Sequence, residues 1–370
     1  MAVIMPMVQI LAFGLGLALV IWTLTAVLRT FVVPRGENVF LTRLVFLTVF
    51  RLFLLRLHWT KSYRERDRIL AYFAPTALLL LPVVWLICVD LGYMAMFWAL
   101  GGSAQFDAFL LSGSSLLTLG FAPVGGFPQT ILAFSEAVLG LGLVALLIAY
   151  LPTMYTAFAR REAAVQMLEV RAGAPPSAVT MIERFYRIQG LRRLSEQWPM
   201  WEVWFTELEE SHTSFSPLVF FRSPRPDQSW VTAAGAVLDA AALTASTLDL
   251  PRDPQAELCI RAGYLALRSI ADFYRIPHNP NPLPSDPISI SRMEFEVVYD
   301  RLFHEGIPLK ADREQAWRDF AGWRVNYDTV LITLAGMTLA PYAPWSSDRA
   351  APFRPTILRP RPRGEIRDIQ

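Results

Sequence analysis

Between Ile69 and Ala159 the chain runs for 91 residues without a single Lys, Arg or His. That stretch holds only three acids, Asp90, Asp107 and Glu136. Its flanks are the reverse. Nine Lys or Arg stand between Arg29 and Arg68, and Arg160-Arg161 follows at once on the other side. Basic residues collect on the cytoplasmic side of membrane helices, so a bare stretch between two basic flanks reads as one that leaves the cytoplasm and returns. This asymmetry excludes an ordinary soluble fold for the first 160 residues.

Within it, Ile69–Val89 is uncharged for 21 residues and extends towards Leu100, and Ala137–Ala159 is uncharged for 23. At about 1.5 Å per helical residue, each crosses roughly 30 Å of hydrocarbon. Ile10–Leu28 adds 19 uncharged residues. The preceding MAVIMPMVQ lacks the basic start of a secretory signal and the apolar run is too long for one, so the segment reads as a retained anchor with its N-terminus outside. Val39–His58 is apolar too, but Arg43, Arg51 and Arg56 fall within it. Arginine is costly at the bilayer midplane. A helix on the cytoplasmic interface, with its arginines at anionic headgroups, fits better. A four-span arrangement with the N-terminus inside is the rival. Only 18% of the chain is charged, against about a quarter in soluble domains.

Gly101–Thr130 is too short for a further span, yet it contains the apolar run Phe106–Leu117 and continues SGSSLLTLGFAP from Ser112. Two spans bracketing a short apolar helix define a re-entrant loop. A cation filter strips water from its ion and replaces it with backbone carbonyls and a Thr hydroxyl. It needs a short helix aiming its negative C-terminal end at the ion, and glycine where the chain turns through positive φ. Asp107 is placed as the N-cap of such a helix, and Ser114 and Ser115 are small, close-packing positions. Thr118-Leu119-Gly120-Phe121 follows in filter order.

Over residues 69–161 the chain resembles the potassium-channel pore-loop superfamily, whose filter reads Thr-(Val/Ile/Leu)-Gly-(Tyr/Phe)-Gly. The resemblance implies an all-α membrane protein assembled as a homo-tetramer around a monovalent-cation path, with no cofactor and no catalytic residues. It places Thr118, Leu119, Gly120, Phe121 and Ala122 in the filter. The family's second glycine is Ala122 here, and Pro123 follows, fixing its own φ and restricting Ala122. The outer filter therefore differs, and potassium selectivity does not follow. The alternative is a non-conducting membrane-anchored sensor or scaffold.

Around the loop, Asp90 and Glu136 are intramembrane acids, functional candidates by default; for Glu136 the rival is a helix-N-terminus interaction. Gly140 and Gly142 serve either as a hinge or as close-packing positions. Pro152 removes the bond to Ile148 and should kink the returning helix. Arg160-Arg161 is expected to anchor it at the headgroups.

The second half reads as helical and soluble, with helices near 160–172, 177–194, 196–212, 229–247, 254–276, 291–305 and 312–339. Asp253-Pro254, Ser291 with Glu294, and Asp312 with Gln315 have the spacing of helix starts. From about Ala343 Pro and Arg dominate, and the tail is expected to be disordered. The resulting units are 1–35 (anchor), 36–68 (basic interfacial segment), 69–161 (pore module), 162–345 (cytoplasmic helical domain) and 346–370 (tail). A multi-pass protein of the cell membrane follows, in contact with lipids.

A formal net charge of +2 without any basic helix or aromatic-interleaved patch gives no reason to expect nucleic acid. Glu209 and His212 share a helix face at i, i+3, a weak metal-ligand spacing and the one feature that keeps a membrane-bound enzyme in view. No GxSxG, HExxH, phosphate-loop or dinucleotide motif occurs, and Cys88 and Cys259 are unsuited to a metal site by themselves or to a disulfide.

Overall fold

The computed structural model describes residues 4–31, 39–57, 59–60, 62–101 and 104–350. Among them every regular element is helical, and the only β contact is an isolated bridge between Leu248 and Leu309. The first half comprises α1 (Ile4–Phe31), α2 (Phe40–Leu57), α3 (Tyr63–Ala71), α4 (Phe73–Gly101), α5 (Gln105–Leu116) and α6 (Gly126–Ala172). Three of these segments are long and apolar enough to cross a membrane: α1, the run Tyr63–Gly101 through α3 and α4, and α6.

Glycine sets the distance between α1 and α4. A Cβ on Gly16 would lie 2.4 Å from the Gly92 carbonyl oxygen, and one on Gly92 would lie 2.6 Å from Val20. Small residues let helix backbones approach this closely where lipid supplies no hydrophobic drive between helices. α2, with its three arginines, is not among the spanning candidates. Phe46, Phe50 and Phe53, from successive turns of α2, converge on Phe73 at 6.2, 5.2 and 5.9 Å. Because Phe73 is the first residue of α4, α2 packs against the foot of that helix.

α6 departs from the expected pair of helices, 137–159 and 160–172. It is one helix of 47 residues, about 70 Å long at 1.5 Å per residue. Nothing between Ala159 and Ala172 breaks it, since Arg, Glu, Ala, Gln, Met and Leu are all good helix formers. It passes through Pro152 and stops at Gly173, whose φ of 86° suits glycine alone.

The C-terminal half packs α7 (Ala178–Arg187), α8 (Trp198–Ser214), α9 (Trp230–Ser246), α10 (Pro254–Phe273), α11 (Arg292–His304), α12 (Arg313–Arg324) and α13 (Asp328–Thr338) into one core with the end of α6. The centre is α9, in which every residue except Ala245 is buried. Its alanines allow helices to close on it from all sides. Its single charge, Asp239, accepts from Arg324 Nη1 at 2.5 Å and from the Tyr327 hydroxyl at 2.8 Å. Arg324, fully buried, also donates to Asp328 at 2.7 Å and to the Trp345 carbonyl at 2.6 Å.

The caps agree with the residues expected: Asp253 and Asp312 accept from Gln255 and Gln315, and Ser291 with Glu294 forms a reciprocal box. Two expected helices are broken. The 177–194 helix stops at Arg187 and resumes as a 3-10 turn at Leu191, after Gln189 turns through φ 55°. The 312–339 helix divides at Val325–Tyr327, where the Asn326 amide donates to the Gly322 and Trp323 carbonyls and competes with the helical pattern. The beginning of the expected tail is also packed: Arg349 bonds the Ser289 carbonyl and pairs with Glu294. Residues 351–370 lie outside the described residues.

Removing Arg324 would leave two buried carboxylates without a cation. Arg324→Met should destabilise the protein by about 3–5 kcal/mol, read as a lowered denaturation midpoint of the full chain in detergent.

Candidate functional site

α5 lies against both α4 and α6, and a loop of nine residues, 117–125, joins it to α6. The helix begins at Gln105 with Ala104 at its N-cap, so Asp107 sits exposed in the first turn and does not cap it. Ser115 bonds back to the Leu111 carbonyl at 2.8 Å.

Ser114, near the C-terminal end of α5, organises the loop. Its carbonyl accepts from the amides of Leu119 (2.8 Å) and Gly120 (3.4 Å), and its hydroxyl oxygen accepts from those of Phe121 (3.1 Å) and Ala122 (3.2 Å). Four consecutive N–H groups thus converge on one serine. Such a concavity of backbone amides ordinarily receives an anion; here the chain's own oxygens fill it. Thr118 and Gly120 make the turn with φ of 55° and 71°. For a β-branched residue that conformation is strained by on the order of 1–2 kcal/mol, and strain of this kind clusters at functional sites.

With the amides turned inward, the carbonyls of Thr118, Leu119, Gly120 and Phe121 accept no hydrogen bond among the described residues, and the Thr118 hydroxyl has no partner there either. The loop is exposed in the single chain, with Leu119 at 60% and Phe121 at 61%. Ala122 does not continue the turn: its φ is not positive, and its side chain packs against the neighbouring core. The Gln129 side chain then accepts from Gly125 N at 2.9 Å, leading into α6.

Behind α5, Glu136 meets the helix through its carboxyl and Asp90 through its main-chain carbonyl. Ser112 Oγ lies 2.6 Å from Glu136 Oε1 on α6 and 3.0 Å from the Asp90 carbonyl on α4. Glu136 is fully buried, and its Oε2 and Asp90 Oδ1 have no partner. Beside them Tyr93 and Ser135 share a hydrogen bond of 2.9 Å.

Gly140 and Gly142 differ sharply. A Cβ on Gly140 would lie 2.1 Å from the carbonyl oxygen of Leu116, the last residue of α5, whereas one on Gly142 would meet nothing within 4 Å. Gly140 is therefore a packing position. Pro152 is exposed, and α6 continues through it, with Thr153 and Thr156 bonding back to the carbonyls of Ala149 and Pro152.

At the far end of α6 the expectation for Arg161 fails. Arg160 is exposed, but Arg161 is buried, 3% exposed, and donates to the carbonyls of Leu218 (2.9 Å) and Phe221 (2.7 Å) and to Glu162. The Glu209–His212 pair does not converge. His212 is fully buried, 3.2 Å from Arg161 Nη1 and 3.1 Å from Ser211 Oγ. A guanidinium only donates, so Nε2 accepts and the ring proton sits on Nδ1, donating to Ser211. No cluster of three or more metal-ligating side chains exists among the described residues. Arg222, to which the sequence reading gave no role, donates to the carbonyls of Thr338 and Leu339 (both 2.8 Å) and to the Tyr63 hydroxyl (3.0 Å), and pairs with Asp67. Its one sequence signal is its place in Phe220-Phe221-Arg222, a cation directly after two aromatic rings.

No protein-family model, no curated protein and no solved structure matches the chain.

Two predictions follow from these contacts. Gly140→Ala must push α5 and α6 apart and should cost about 1–3 kcal/mol, while Gly142→Ala should be neutral or stabilise by up to about 1 kcal/mol; melting in detergent separates them. Burial and the neighbouring Arg161 hold His212 well below the usual histidine range. The unfolded chain thus binds more protons below about pH 6.5. Stability contributed by neutral His212 is full above that pH and falls as the solution is acidified, and His212→Gln should flatten the slope.

Proposed function

We propose that this is a membrane-embedded pore-loop cation channel, with α4, α5, the 117–125 loop and α6 as the pore module and Thr118–Phe121 as its filter. The observation that carries the reading is the loop itself. Four amides are spent on Ser114, and the carbonyls of Thr118 to Phe121, like the others of the 117–125 loop, and the Thr118 hydroxyl stay unbonded among the described residues. An oxygen array of that kind replaces the water of a monovalent cation, and its ion moves passively without catalytic residues or cofactor. α5 aims the negative end of its dipole at the same place.

A single loop provides one wall of a path, so the reading includes a homo-tetramer, as the pore-loop resemblance implies. The exposed Leu119 and Phe121 of each loop would then be covered by neighbouring copies. The charge asymmetry supports a multi-pass placement in the cell membrane, both flanks of 69–159 on the cytoplasmic side, and the C-terminal bundle as a cytoplasmic assembly or regulatory domain. α2, with Arg51 and Arg56 exposed, fits the cytoplasmic interface in contact with lipid headgroups.

The second reading is a non-conducting sensor or scaffold. It is favoured by one observation, that the turn pattern ends at Gly120 and Ala122 does not extend it.

Purified protein in planar bilayers decides between them. Cation current is expected, and Gly120→Asp should abolish it, because a side chain is forced into a φ of 71°. Intact tetramers that pass no cation under any condition would overturn the channel reading in favour of the second.

A further inference from the structure

The contact behind α5 has more oxygens than protons. Ser112 has one hydroxyl hydrogen, and two oxygens lie within its reach: the Asp90 carbonyl at 3.0 Å and Glu136 Oε1 at 2.6 Å. A carbonyl can only accept. If the serine gives its hydrogen to Asp90, then the closer contact, within the range of an O–H···O bond, requires a proton from Glu136. The surroundings offer an ionised Glu136 nothing else. It is fully buried, its Oε2 has no partner, and no Lys, Arg or His occurs between Ile69 and Ala159. A buried carboxylate with one hydrogen bond and no cation is among the costliest groups a protein can hold.

We infer that Glu136 is a neutral carboxylic acid that donates to Ser112 Oγ, which in turn donates to the Asp90 carbonyl, so that one directed chain of two hydrogen bonds fastens α5 to both α6 and α4. Glu136 is then a positioning residue: it touches no ion and acts through Ser112, two residues before the serine that shapes the loop. The other titratable groups facing it are Asp90 and Tyr93, both on α4. From α5 the facing polar group is Ser112, Asp107 being exposed in that helix's first turn, and from α6 it is Ser135 beside Tyr93. None of these supplies a positive charge.

The inference uses the pore-loop reading only for the task it assigns to α5, and its test does not depend on conduction. Infrared spectra of the full chain at neutral pH, in a maltoside detergent with no carbonyl of its own, are expected to show the carbonyl band of a protonated acid. That band should persist in Asp90→Asn and vanish in Glu136→Gln. In Ser112→Ala it should shift to higher frequency, because the acid has lost its acceptor. Glu136→Gln keeps a donor at the same place and should melt close to wild type, while Glu136→Ala should melt earlier. Loss of the band in Asp90→Asn with retention in Glu136→Gln would overturn the inference, as would the absence of any such band in the wild type.

Discussion

The stretch from Ile69 to Ala159 contains no cationic side chain to pair with its polar groups, and the contacts around α5 reflect that constraint. In an apolar surrounding an unmatched amide or carboxyl costs several kcal/mol. Charged partners are absent, so small hydroxyls take their place. Ser112 and Ser114 are two residues apart, about 200° around the helix at 100° per residue, and they serve opposite sides. Ser112 faces back to Glu136 and Asp90, and Ser114 faces forward to the loop. One helix is thereby fixed to its neighbours and made to shape the turn beyond it. Gly140 sets how near this can be done, since its missing Cβ is what lets α6 reach the last carbonyl of α5.

At the other end of α6 the constraint is reversed, and cations act as clamps. The segment Phe215–Arg222 lies between the long helices and the bundle. Arg161 holds its carbonyls from α6, and Arg222 ties it to Tyr63 and Asp67 of α3 and to the end of α13. Phe220 meets Phe73 of α4 edge-to-face at 5.6 Å and Tyr274, the cap after α10, edge-to-face at 5.9 Å. Trp230 donates to the Val219 carbonyl at 3.1 Å from the start of α9. α6 cannot shift relative to α4 or to the bundle without disturbing this one segment.

The three long apolar helices were legible because charge and hydropathy act on whole stretches of sequence. The caps at Asp253 and Ser291 were legible because they act within one turn. Thr118 and Gly120 stood out by residue type and order, although the strain at Thr118 is visible only in the backbone. What the sequence hid are contacts made across long separations. Arg161 reads as a headgroup anchor from its position after a span, and nothing local reveals that Leu218 and Phe221, some sixty residues away, present carbonyls to it. His212 pairs by spacing with Glu209, yet burial turns it towards Arg161. A change from apolar to charged residues near Ala159 suggests a boundary at 160, but a helix with no breaker continues through it.

The departure at Ala122 has a physical reason in the same contacts. The reach of Ser114 is finite: its two oxygens take the amides of residues 119 to 122 and no more. Beyond that point the loop is carried by other means, with Pro123 fixing its own φ and Gln129 holding Gly125 N. The carbonyls of Ala122 to Gly125 accept no hydrogen bond among the described residues either, so what ends at Ala122 is the set of amides held by Ser114.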